Sequence, residues 1–188
     1  MNPLIDRIYA LFAVHGSAHY GENISQLDHA VQCAQLAVEH NCPESLVAAA
    51  LLHDIGRMID PAGNDAELQG QDAAHEDIGA AWLAPAFPPV ATEPIRLHVA
   101  AKRYLCGTEP SYAATLSAAS LLSLGVQGGP MSQVEARAFE AEAFYADAVQ
   151  LRRFDDWGKR EGCAPAPLDA YRPLLERVSA SVASPMRA

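Results

Sequence analysis

The sequence predicts an all-α fold, a compact helical bundle. Three observations carry that expectation. Apolar residues recur at spacings of three and four along most of the chain. The segments so formed are bounded by Ser, Gly and Pro, which start and stop helices. Few strand-like runs interrupt them.

The elements follow in order. Residues 3–14 form a first helix with Leu4, Ile5, Ile8, Leu11 and Phe12 on one face. Residues 15–23, with Gly16 and Gly21, read as a loop. Ser25 caps a helix running to about His40, with Asp28 as its capping partner. Asn41-Cys42-Pro43 ends it, and Pro43 opens one further helix that passes through His53-Asp54 to about Met58. Residues 60–70 are polar and read as a surface loop. A helix over 72–83 carries His75, and Pro85, Pro88 and Pro89 follow it. Thr92-Glu93-Pro94 starts a helix through about Leu105 that carries His98. Another runs from Pro110 to about Leu124. After the turn Gln127-Gly128-Gly129-Pro130, Ser132 caps a long helix to about Lys159, and residues 166–182 add a last one.

A chain of 188 residues is expected to be one domain, with its core over about 21–160 and a C-terminal helix over about 166–182. Half of its residues are hydrophobic, enough for a sizeable core. The formal charge of -10 argues against nucleic acid or an anionic membrane as partner, although a pocket can still gather cations. Four cysteines without C-x-x-C spacing predict reduced thiols and a cytoplasmic protein. Residues 1–7 lack the pattern of a signal peptide, and no stretch is expected to span a bilayer.

The most apolar stretch, residues 46–56, contains His53 and Asp54. A buried carboxylate needs compensation, because stripping its water is costly. A metal ion supplies it, and imidazoles are suited to share the task. His29, His75 and His98 each lie in or beside a helical pattern of their own, as does the pair Asp155-Asp156. Imidazole and carboxylate suit iron, manganese, nickel or zinc, and no cysteine is expected near the ligands. Neighbours on a helix point about 100° apart, so His53 and Asp54 serve two metals more easily than they chelate one. His29, His53, Asp54, His75, His98 and one of the late aspartates exceed what one four-coordinate zinc needs, so a two-metal centre is expected. His15 and His40, near helix ends, read as structural. Lys102 follows His98 by four residues, Arg57 follows His53 by four, and Arg152 precedes Asp155 by three. Such spacings share a helix face, so these cations can look toward the metals and a bound anion. The alternative is that they pair with carboxylates such as Glu76 or Asp156.

The order His29, His53-Asp54, then a late aspartate resembles the HD-domain superfamily, mostly metal-dependent phosphohydrolases. With His75 and His98 added, it looks like the HD-domain mixed-valent diiron oxygenases, the group that includes myo-inositol oxygenase. Gly21-Glu22, Gln26-Leu27-Asp28-His29, Gln127-Gly128-Gly129-Pro130-Met131 and Leu151 to Lys159 resemble the phosphonate-degrading members, which cleave a carbon–phosphorus bond oxidatively. The resemblance runs from about Gly21 to Lys159. It implies two iron ions, Fe(II) and Fe(III), held by His29, His53, Asp54, His75, His98 and Asp155, with Asp54 bridging and O2 as co-substrate. It implies Lys102, Ser120 and Arg152 as phosphonate-binding residues and Glu22 as the receiver of a substrate ammonium. The organophosphonate so implied is 2-amino-1-hydroxyethylphosphonate, converted to glycine and phosphate. Relatives carry a tyrosine three residues before that glutamate, which occupies an iron site until substrate displaces it. Here His19 stands there and Tyr20 follows, so either is the candidate for that role. Arg57 stands where the resemblance implies another histidine, and a permanent cation there would tighten anion binding or change the preferred substrate. The rival enzyme is a metal-dependent phosphohydrolase of nucleotides or other phosphomonoesters, which needs the same core but does not account for Glu22 or the 127–131 turn. A non-enzymatic metal-binding module would have no need of the pocket cations.

Overall fold

The computed structural model describes residues 2–19, 22–60, 69–163 and 166–183, and among them there is no strand. Its helices are α1 (Pro3–His15), α2 (Gln26–Glu39), α3 (Glu44–Leu52), α4 (Ile55–Ile59), α5 (His75–Leu83), α6 (Pro89–Thr108), α7 (Ala118–Val126), α8 (Gln133–Glu140), α9 (Tyr145–Trp157) and α10 (Arg172–Ala183). The all-α expectation holds.

Local chemistry starts the helices where the sequence places caps. Asn2 accepts from the Leu4 amide and Pro3 fills the first turn of α1. Ser25 accepts from the Asp28 amide at 3.1 Å to start α2. Ser132 and Glu135 form a reciprocal capping box at α8. The centre of the bundle is α3, in which every residue from Leu46 to Leu52 is buried. A helix apolar on all sides belongs inside, and α2, α6, α9 and α10 pack around it. The main core joins Ile5, Ile8, Leu51, Leu52, Leu83, Ile95, Leu151 and Phe154.

Three expected helices are broken. The helix expected through His53-Asp54 stops at Leu52 and restarts at Ile55, with Asp54 at φ -98° and ψ 10° between them. The restart lets α4 press onto α5. A Cβ on Gly56 would lie 1.9 Å from the His75 carbonyl oxygen, so only glycine permits this approach. The helix expected over 110–124 is a 3-10 turn at Tyr112–Thr115, an extended Leu116, and then α7. Ser117 accepts from the Ser120 amide at 3.1 Å and so starts a new helix instead of continuing the old one. The long helix expected from Ser132 to Lys159 divides into α8 and α9. The corner between them lets Phe139 and Tyr145 meet edge to face at 6.1 Å and pack with Leu97 and Ala101 on α6. The helix beginning at Pro89 is longer than expected, and Pro94 lies inside it. The expected loop over 60–70 falls mostly on residues 61–68, which lie outside the described residues, as do Tyr20 and Gly21.

Candidate metal centre

Four helices and one helix junction deliver the site. His29 comes from the second turn of α2, His53 and Asp54 from the break between α3 and α4, His75 from the first residue of α5, His98 from the middle of α6 and Asp155 from the end of α9. His29, His53, His75 and His98 are buried, and His53 is completely so. The backbone fixes three of the rings. His29 Nδ1–H donates to the Gly158 carbonyl at 3.0 Å, His53 Nδ1–H to Ala50 at 2.9 Å and His98 Nδ1–H to Ile95 at 2.7 Å. In each neutral ring Nε2 therefore carries a lone pair.

The Nε2 atoms meet in two pairs. His29 and His53 approach to 3.2 Å, and so do His75 and His98. Asp54 lies between the pairs, with Oδ1 3.1 Å from His75 Nε2 and 3.9 Å from His98 Nε2, and Oδ2 3.8 Å from His53 Nε2. Asp155 Oδ1 completes the first group, 3.4 Å from His29 Nε2 and 3.9 Å from His53 Nε2. Ligands at about 2.0–2.2 Å from a metal lie roughly 3–3.5 Å from one another, close to these spacings. Converging imidazole lone pairs and carboxylate oxygens repel unless a cation lies among them, so the donor set fits two metal ions that share Asp54.

The charges agree. Burial pushes His53 below its ordinary pKa, and burial with the neighbouring imidazoles puts His98 well below. Burial opposes ionisation of Asp54, but Arg57 and the imidazoles of His53 and His75 outweigh it and hold the carboxyl well below its ordinary range. Asp155 behaves likewise, with Arg152 and Lys159 outweighing burial. Cys33 is the exception to the expectation that no cysteine lies near, for its Sγ sits 3.7 Å from His29 Nδ1. It is one turn along α2, donates toward the Phe154 carbonyl, and burial pushes its thiol up, so it stays protonated and a weak ligand.

A cavity opens over the centre. Arg57, Lys102, Arg152 and Lys159 line it together with Glu22, Asp54 and Asp155. Four cations thus face three carboxylates in a chain whose net charge is -10, so the basic groups gather where an anion would bind. Lys102 donates to Ser123 at 2.6 Å. Ser120 accepts from Arg152 at 3.3 Å and from Lys159 at 3.1 Å, which leaves its own O–H to donate into the cavity. Arg57 sits 3.3 Å from Asp54 Oδ1.

Arg152 is held more firmly than its sequence role implies. Its guanidinium donates to Asp155 at 2.7 Å, to Tyr112 at 3.1 Å, to Ser120 and to Asp156. One N–H remains of the five that an arginine carries. The pairing with Asp156 weighed in the sequence is present, whereas Glu76 faces His75 and no cation. Glu22 is engaged at one oxygen, for its Oε1 accepts from Lys159 at 3.0 Å and from Ser117 at 2.7 Å. His19 is exposed, lies 3.4 Å from the Glu22 backbone carbonyl and does not line the cavity.

Sequence reasoning missed Lys159 as a pocket cation, although it stands four residues after Asp155 on the same face of α9. It also missed Tyr112, whose hydroxyl donates to Asp156 and accepts from Arg152. Gln26 lines the cavity with a buried Oε1 that has no hydrogen-bond partner. No spacing rule signals either residue.

The model of the HD domain matches residues 27–118. Hydroxymethylphosphonate dioxygenase of Gimesia maris is 41% identical over 175 residues, which span 91% of this chain and 87% of the relative. The glycine-betaine-forming [1-hydroxy-2-(trimethylamino)ethyl]phosphonate dioxygenase of Leisingera caerulea is 36% identical over 176 residues, 93% of this chain and 90% of the relative. An uncharacterised protein of Acanthamoeba polyphaga mimivirus is 37% identical over 163 residues, 85% of this chain and 74% of the relative.

Proposed function

Since the chain belongs to the HD-domain phosphonate oxygenases, we propose that it uses O2 at a pair of iron ions to cleave the C–P bond of a small 1-hydroxyphosphonate. The observation that carries this reading is Asp54, whose two carboxylate oxygens face the two imidazole pairs separately. His29, His53 and Asp155 would hold one ion, His75 and His98 the other, and Asp54 both. When bound, the irons supply Lewis acidity and the redox change that activates O2.

The chain's own residues bind and orient. Lys102, Arg152 and Lys159 set a positive wall for the phosphonate, and the Ser120 hydroxyl is free to donate to one of its oxygens. Arg57, beside Asp54, adds a cation next to the metal pair. The rings are buried at the floor of the cavity, which limits the water that reaches them. Holding the anionic end would orient C1 toward the metal-binding residues, the positional part of catalysis. The atoms balance without another reductant: a 1-hydroxyphosphonate and one O2 give a carboxylic acid and inorganic phosphate.

The sequence favours 2-amino-1-hydroxyethylphosphonate, with Glu22 receiving the ammonium and glycine as the acid. A second reading has a specific support. Lys159 already neutralises Glu22, so a substrate without an amine leaves no buried carboxylate unpaired. Hydroxymethylphosphonate, the substrate in the name of the Gimesia maris relative, is such a molecule.

The test is anaerobic loading of the full chain with Fe(II), then admission of O2 with each phosphonate. Phosphate release with one O2 consumed per phosphate is expected, and the faster of the two substrates tells whether Glu22 or its pairing with Lys159 governs the choice. Phosphate release from phosphomonoesters without oxygen would establish the hydrolase instead.

A further inference from the structure

The four imidazoles are not held alike. His29, His53 and His98 each donate Nδ1–H to a neutral backbone carbonyl. His75 does not. Its Nδ1 faces Oε2 of Glu76 at 3.4 Å, and neither atom has a hydrogen-bond partner. Both residues are buried, His75 at 2% and Glu76 at 8% exposure. A buried donor or acceptor left alone is costly, so the two atoms have reason to close on each other with a small rotation.

The halves of the centre also differ in charge. Asp155 serves the His29–His53 half, whereas among the described residues Asp54, shared with the other half, is the one carboxylate that faces Nε2 of His75 and His98. We propose that Glu76 is a positioning residue that accepts the Nδ1–H of His75, fixes Nε2 as the metal-facing atom and brings to this half the negative charge that Asp155 brings to the other. A carboxylate on the far nitrogen orients the ring and makes it a stronger donor. Glu76 thereby strengthens metal binding at the His75–His98 half and favours the more oxidised state of an iron held there. This rests on the paired-metal reading of the site.

Glu76→Gln keeps the shape of the side chain and removes its charge. Calorimetric titration of the metal-free full chain with zinc reads the binding steps. The expected result is one step weakened about ten- to hundred-fold with the other within about twofold. Equal affinities in variant and parent, or equal weakening of both steps, overturn the proposal. In the iron-loaded protein the variant's reduction potential should move to more positive values, and an unchanged potential counts against Glu76 equally. Uptake of a single zinc by the parent chain overturns the paired-metal reading instead. Glu76 is then judged by NMR of the zinc-loaded chain. The His75 Nδ1–H should resist exchange in the parent and exchange fast in Glu76→Ala, and equal exchange in both overturns the proposal.

Discussion

Among single residues, Arg152 and Tyr112 show how a side chain that reads as a ligand contact becomes part of the scaffold. The spacing of Arg152 before Asp155 was legible, and it predicted a cation facing the metals. The Tyr112 hydroxyl that fixes it comes from a turn 40 residues away, which no local pattern announces. Tyr112→Phe removes the bonds to Asp156 and Arg152 and should cost about 1–3 kcal/mol at neutral pH. The sign of its pH dependence follows from the phenol. Burial pushes the Tyr112 pKa up, Arg152 opposes and Asp156 adds to the rise. The native protein therefore keeps the proton where the unfolded chain, near pH 10, loses it. The stabilisation is fully present below about pH 10 and is lost as pH rises toward the folded value. Denaturant unfolding of both proteins from pH 7 to 11 should show their stabilities converging above pH 10. A constant difference would remove the hydroxyl's buried role.

At the scale of elements, the proposed metal centre depends on how closely α4 approaches α5. Gly56 on α4 faces the carbonyl of His75 and the backbone of Gly79. Gly56→Ala places a methyl 1.9 Å from that carbonyl oxygen, so the helices must separate. The expected cost is about 1–3 kcal/mol in stability, together with loss of the metal that His75 and His98 are proposed to hold. Metal analysis and thermal unfolding of the purified variant check both, and full metal content with normal stability would show that the approach is not needed. Caps such as Asn2, Ser25 and Ser132 were readable because they act within one turn. The breaks after Leu52 and Glu140 were not, because neither needs a Gly or Pro at the break. Each is set by what the chain meets after it turns: α5 for the first, and α6 for Phe139 and Tyr145 at the second.

For the whole molecule, the centre ties α2, the α3–α4 junction, α5, α6 and α9 together. Metal bound only by the folded chain adds stability by mass action, about 2.7 kcal/mol for a site at one hundred times its Kd. For a chain of this size that corresponds to about 5–10 °C in Tm. Chelation should lower Tm by that amount and metal return should restore it; a chelator-insensitive Tm would mean that no ion joins these helices. The sequence alone determined the all-α class, the identity of the imidazoles and carboxylates that converge, and the resemblance to phosphonate oxygenases. Those depend on periodicity and on residue type at fixed spacing, which survive in one dimension. The tertiary structure decided that Lys159 occupies Glu22, that Arg152 is clamped, that Cys33 lies beside His29 and that Glu76 stands behind His75. These depend on which helix ends come together, and buried charges take whatever partners that packing leaves within reach.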